Sequence, residues 1–200
     1  MSDISSAIRK NATIPNAITI GRVFILPFFI HFILKGTPDG CRTAFWLLIA
    51  AAFADGLDGL VARVFHMKTV LGSYMDPVAD KLTHIVIFAL LWYVGLAPAW
   101  FVFLVFLRDL AMMTGILTLI LKGFEIKMAP TLVGKATTNA EFITALYSIL
   151  IAFHPSEIGP TLKAIGYAVS AILLLASSIQ YGRRGAFIIR LGKTAWGRAR

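Results

Sequence analysis

The sequence predicts an all-α integral membrane protein of six transmembrane helices joined by short loops, and three observations carry that prediction. Of its 200 residues, 58% are hydrophobic and only 14% are charged, a balance with mean hydropathy +0.80 that belongs to polytopic membrane proteins rather than soluble domains. The apolar residues gather into six segments, 17–34, 43–64, 71–95, 99–121, 136–153 and 161–181, each close to the roughly 20 residues that a helix needs to cross a bilayer. Most of the breaks carry helix-ending punctuation: Gly36, Pro38 and Gly40, then Pro98, then Gly123, Pro130 and Gly134, then Pro155, Gly159 and Pro160. Helices are the expected form because lipid offers no partner to backbone polar groups, which must be satisfied within each segment. There is no internal repeat, and the connections are too short for a further domain. One membrane domain therefore fills residues 1–200, with an N-terminal arm (1–16) and a basic tail (182–200).

The arm places Arg9 and Lys10 ahead of the first apolar segment, which runs on through Leu34 with no small-residue cleavage site. It reads as a retained span, not a signal peptide. Asn16 and Arg22, at the polar edge of this span, could face a cavity or act as an interfacial anchor with Arg22 snorkelling. Orientation follows from the cations. Thirteen Lys and Arg fall in the arm, the second and fourth connections and the tail, against Lys35, Arg42 and Lys163 on the opposite side. That bias puts both termini in the cytoplasm.

Spans two and three carry the residues with the clearest chemistry. Asp55 and Asp58 are spaced i, i+3, and Asp76 and Asp80 are spaced i, i+4, so each pair shares a helical face. Both pairs lie at the cytoplasmic ends of antiparallel neighbours, which predicts a polar cavity on that side. A carboxylate at the centre of a bilayer costs on the order of 2.5 to 3.5 kcal/mol on insertion scales, and clustered carboxylates push one another toward protonation. Something must offset that cost. An all-oxygen donor set suits hard divalent cations such as Mg2+ or Mn2+, whereas Zn2+ would favour His and Cys. A proton or ion pathway, as in an ion- or proton-coupled transporter, is the other reading, as is pairing with helix-facing arginines. Gly56, Gly59, Ala62 and Gly72 would let a ligand or a helix approach closely, and Arg63 could meet a phosphate or an acid.

These residues resemble the CDP-alcohol phosphotransferases, also termed CDP-alcohol phosphatidyltransferases, whose signature reads D-x-x-D-G-x-x-A-R, eight residues, G-x-x-x-D-x-x-x-D. Asp55, Asp58, Gly59, Ala62, Arg63, Gly72, Asp76 and Asp80 match every defined position. The opening IPNAITIGRVFILP is also similar to phosphatidylglycerophosphate synthases and to the eukaryotic-type cardiolipin synthases. The resemblance implies a homodimeric enzyme of phospholipid synthesis in the bacterial inner membrane. It would transfer the phosphatidyl group from CDP-diacylglycerol to glycerol 3-phosphate and release CMP; the alternative acceptor is phosphatidylglycerol, as in a cardiolipin synthase. It further implies that Asp55, Asp58, Asp76 and Asp80 hold two divalent cations, Mg2+ or Mn2+, with Asp80 also the base that takes the acceptor's proton. Gly59, Ala62, Arg63 and Gly72 would meet the CDP-lipid, and Lys81, Arg108 and Lys135 the acceptor phosphate. On its own terms Arg108 would as readily pair with Asp109 or Glu141, and Lys135 could simply set topology.

The remaining signals are bland. Cys41 is the only cysteine, which excludes an internal disulfide and a cysteine-rich metal site. His31, His66, His84 and His154 have no ligand spacing. The tail mixes six basic residues with Phe187, Ile188, Ile189, Leu191 and Trp196, so it either lies on anionic membrane lipid or is a disordered tail that fixes topology. The net charge of +9 is accounted for by topology and implies no nucleic-acid partner.

Overall fold

The structure is a computed structural model. It describes the backbone of residues 25–64, 70–121 and 131–196, with side chains described throughout except at 55–64, 70–80, 82, 116, 119–121 and 188–196. All regular structure among the described residues is helical. In chain order the helices are α1, described over Ile25–Leu34, α2 (Pro38–Val64), α3 (Val70–Tyr93), α4 (Ala99–Leu121), α5 (Leu132–Phe153) and α6 (Gly159–Trp196).

Their ends follow from local chemistry. α1 and α3 stop just before Gly36 (φ 62°) and Gly95 (φ 76°), left-handed positions that glycine occupies without a Cβ penalty. Thr37 caps α2, its hydroxyl accepting from the Gly40 N–H at 3.2 Å, while Pro38 fills the first helical position and Asp39 sits in the positive first turn. Thr131 does the same for α5, accepting from the Gly134 N–H at 2.9 Å. Gly134 and Lys135 therefore belong to the first turn of α5, which begins four residues before the apolar segment predicted at 136.

The described chain forms two compact units. One ends at Leu96 and includes Ser148–Pro155; the other comprises Ala97–Tyr147 and Ser156–Arg200. In the first, Phe45 packs edge-on against Phe153 with ring centroids 5.7 Å apart, and the Arg42 guanidinium lies 5.9 Å from the centroid of the same ring. Cys41 is buried in the first turns of α2, and that burial raises its thiol pKa. In the second, Phe101 meets Tyr167 at 4.9 Å.

Polarity is distributed in reverse of a soluble protein. Phe53, Phe103, Ile143 and Ile172 are exposed, whereas Arg108, Asp109, Thr137, Glu141, Thr144, Ser148, Ser170 and Ser177 are buried. Large apolar side chains outward and hydrogen-bonded polar ones inward is the arrangement that a lipid solvent selects. Among the described residues two helical stretches, Leu132–Phe153 and Gly159–Phe187, are long and apolar enough to cross a membrane, and Ile25–Leu34 and Thr83–Tyr93 are shorter apolar helices. The molecule is a membrane protein, all-helical among its described residues. Its last helix departs from expectation, because α6 runs unbroken for 38 residues to Trp196. Most of the predicted tail is thus helix continuous with the last apolar segment.

Candidate active site

The helical backbone carries the signature in the predicted register. Asp55, Asp58, Gly59, Ala62 and Arg63 fall on α2, and Gly72, Asp76, Asp80 and Lys81 on α3. Both acid pairs therefore sit on continuous helix, where three- and four-residue spacings bring side chains to one face. Pro77 stands between Asp76 and Asp80 within α3; having no N–H, it leaves the carbonyl of Ser73 without its usual intrahelical donor. The side chains of residues 55–64 and 70–80 lie outside the described residues, as do Asn16 and Arg22 entirely. Among the described residues no group of three or more His, Cys, Asp or Glu could hold a metal ion.

Of the basic residues assigned to an acceptor phosphate, Lys81 is half-buried and Lys135 is exposed. Arg108 lies deep in the second unit, only 6% exposed. Its Nη1 donates to Asp109 Oδ1 at 3.0 Å, and its Nη2 reaches Ser177 Oγ on α6 at 3.5 Å. Asp109 is fully buried beside it. A guanidinium in this setting is held by an ion pair that offsets the cost of removing both charges from water. The structure thus brings Arg108 together with Asp109 and Ser177.

The same unit holds a polar seam. Thr137, Glu141 and Thr144 recur at i, i+4 and i+7 along α5, and all three are buried; Ser148, at i+11 and also buried, falls in the first unit. Thr137 Oγ1 donates to the carbonyls of Val133 at 2.8 Å and Leu173 at 3.0 Å, and the Thr144 and Ser170 hydroxyls share a bond of 3.1 Å. Where the chain enters α5, the Tyr181 hydroxyl accepts from the Thr131 N–H at 3.5 Å. A Cβ on Gly134 would stand 2.8 Å from that hydroxyl. The period of the α5 seam is present in the sequence and is the signal by which Glu141 and its neighbours could be found. For Thr137 and Thr144 the partners across helices come from α6.

Comparison with known proteins bears on the signature directly. Residues 12–179 match the profile of the CDP-alcohol phosphatidyltransferase family, a range that contains all four aspartates, Arg63 and Arg108. A Bacillus subtilis protein named CDP-diacylglycerol--glycerol-3-phosphate 3-phosphatidyltransferase is 32% identical over 157 residues, covering 72% of this chain and 80% of that one. An Aquifex aeolicus protein of the same name is 29% identical over 177 residues, 86% of this chain and 95% of that one. A Mycobacterium tuberculosis protein with the provisional name of cardiolipin synthase is 29% identical over 156 residues, 78% of this chain and 73% of that one. With the signature on helices in its required spacing and the profile spanning nearly the whole chain, the protein belongs to the CDP-alcohol phosphatidyltransferase family.

Proposed function

We propose that this protein transfers the phosphatidyl group of CDP-diacylglycerol to the primary hydroxyl of sn-glycerol 3-phosphate, giving phosphatidylglycerophosphate and CMP. The observation that carries the reaction class is the family match over a stretch holding the full aspartate signature. The acceptor rests on the Bacillus and Aquifex relatives, both named for glycerol 3-phosphate. The Mycobacterium relative favours a second reading, a cardiolipin synthase with phosphatidylglycerol as acceptor. Membership of a transferase family leaves the transport reading without an observation in its favour.

In this reading Asp55, Asp58, Asp76 and Asp80 hold two divalent cations. When bound, these neutralise the pyrophosphate and polarise the phosphorus under attack. Asp80 accepts the proton of the acceptor hydroxyl as its oxygen bonds to the phosphorus that bears diacylglycerol, and the bond from that phosphorus to the CMP oxygen breaks. Gly59, Ala62 and Gly72 leave room for the CDP-lipid and Arg63 pairs with its phosphates. Lys81, Arg108 and Lys135 receive the phosphate of the acceptor; Arg108 keeps its bonds to Asp109 and Ser177, and its buried Nε, without a partner among the described residues, is the donor left to give. The helices make six crossings in one membrane domain with both termini cytoplasmic, the polar cavity opens to the cytoplasm of a bacterial inner membrane, and two copies assemble as a dimer.

The test is direct. Purified protein with CDP-diacylglycerol and Mg2+ or Mn2+ is given each acceptor in turn, and CMP release is followed. Release with glycerol 3-phosphate is expected. Release with phosphatidylglycerol alone replaces the first reading by the second, and no release with either rejects both.

A further inference from the structure

A Ser or Thr that caps a helix is commonly answered by a Glu or Gln three residues on, whose side chain reaches back to the N–H of the cap. At the start of α5 that pattern is broken. Thr131 caps the helix through the Gly134 N–H at 2.9 Å, but the third helical position is Gly134 itself, which has no side chain to send back. The Thr131 N–H, on a residue only 5% exposed, goes instead to the Tyr181 hydroxyl of α6 at 3.5 Å. Glycine is what admits that hydroxyl, since a Cβ at 134 would stand 2.8 Å from it and 3.3 Å from Cε2 of the ring. A bond within the turn gives way to one between helices.

That bond has a companion one turn away. Ser177 and Tyr181 are spaced i, i+4 on one face of α6, and Ser177 Oγ accepts from Arg108 Nη2 of α4 at 3.5 Å. Arg108 and Tyr181 both line a cavity of about 520 Å3. Lys135 follows Gly134 directly, and its N–H donates to the Thr131 carbonyl at 3.0 Å. One face of α6 thus fixes both the helix that carries Arg108 and the turn that carries Lys135, all within the second unit. A phosphate shared by two cations needs them at a set separation, because charge-assisted bonds depend steeply on distance and angle. We propose that Tyr181 is a positioning residue for the acceptor: through Thr131 and Gly134 it holds Lys135 at its working distance from Arg108. This role follows only if those two cations receive the acceptor phosphate.

Kinetics of CMP release by the full-length protein in detergent test this. Tyr181→Phe should raise the KM for glycerol 3-phosphate roughly threefold to tenfold, as loss of one net hydrogen bond would, with kcat and the KM for CDP-diacylglycerol unchanged. Ser178→Ala should alter neither, since that hydroxyl lines the same cavity but donates to its own helix at the Leu174 carbonyl, 2.8 Å away. In a Lys135→Ala chain, whose KM is already raised, Tyr181→Phe should add nothing, because a positioning residue acts through the group it positions. Gly134→Gln with Tyr181→Phe gives the Thr131 N–H a local acceptor; it should recover melting temperature and keep the raised KM. A raised KM in Lys135→Ala beside an unchanged one in Tyr181→Phe would overturn the proposal and leave the acceptor assignment standing. So would an equal rise on adding Tyr181→Phe to Lys135→Ala, or a normal KM in Gly134→Gln with Tyr181→Phe, which would make capping alone sufficient. An unchanged KM in Lys135→Ala would reject the acceptor assignment and this role with it. If Gly134→Gln with Tyr181→Phe fails to insert, the Lys135 pair decides.

Discussion

Asp55, Asp58, Asp76 and Asp80 fall on two consecutive helices within one short stretch of sequence, whereas the buried polar residues of α4, α5 and α6 find partners up to 69 positions away. The first set is spaced so that carboxylates share faces, an arrangement that raises their energy and that, in the proposed reading, bound cations relieve. In the second set, Arg108 has Asp109 and Ser177, Thr137 has the Leu173 carbonyl, and Thr144 has Ser170. Charge concentrated in one place prepares for a ligand; polarity that answers itself across helices holds a membrane protein together. Mutations should therefore act differently in the two regions, on turnover in the first and on stability in the second.

The largest effect is expected at the proposed metal centre. Asp55→Asn or Asp76→Asn should abolish CMP release while the protein still folds and inserts, since each change removes a ligand charge and no packing. Near-normal turnover in either variant would break the comparison at its first term. Asp80→Asn comes next, with a loss of rate on the order of 100- to 10,000-fold, as removal of a general base produces. Affinity for CDP-diacylglycerol should fall much less, and a parallel collapse of binding would make Asp80 chiefly a ligand.

In the second region the effect should appear in melting. Asp109→Ala leaves the Arg108 charge buried and should cost about 3 to 5 kcal/mol, read by thermal unfolding in detergent, while Arg108→Met combined with Asp109→Leu should recover most of that loss. The same position sharpens the contrast. If Arg108 also serves the acceptor, Arg108→Ala raises the KM for glycerol 3-phosphate about tenfold, as loss of a charge-assisted bond of roughly 1.5 to 3 kcal/mol would. A purely structural arginine would lower the melting temperature and leave KM alone. The smallest effect belongs to Gly134→Ala, whose Cβ would meet the Tyr181 hydroxyl at 2.8 Å. A cost of about 1 to 3 kcal/mol is expected, and Tyr181→Phe in the same chain should return part of it by removing the oxygen.

The aspartates are legible in the sequence because their spacing is local: three and four residues on a helix mean one face whatever the rest of the fold does. The apolar segments put two helix starts at 43 and 136, later than the observed Pro38 and Leu132, although the caps that set them, Thr37 with Pro38 and Thr131 with Gly134, are themselves local. The period of Thr137, Glu141, Thr144 and Ser148 can also be read. What it packs against cannot, because Ser170 and the Leu173 carbonyl meet it only after the chain has turned back. The tail is harder still. Gly182, Gly185 and the arginines look like the end of a span, and only the continuous backbone hydrogen bonding of α6 carries the helix past them.

That continuity sets a distance. At about 1.5 Å per residue, the 38 residues of α6 make a rod roughly 57 Å long, against a hydrocarbon layer of about 30 Å. Even with the tilt common for long spans, its last turns cannot remain in the bilayer. Unless the rod bends, they cannot lie flat on its surface either. In a crossing that begins at Gly159, the backbone at Trp196 then lies beyond the headgroups on the far side, and a reporter fused behind it would be carried away from the membrane.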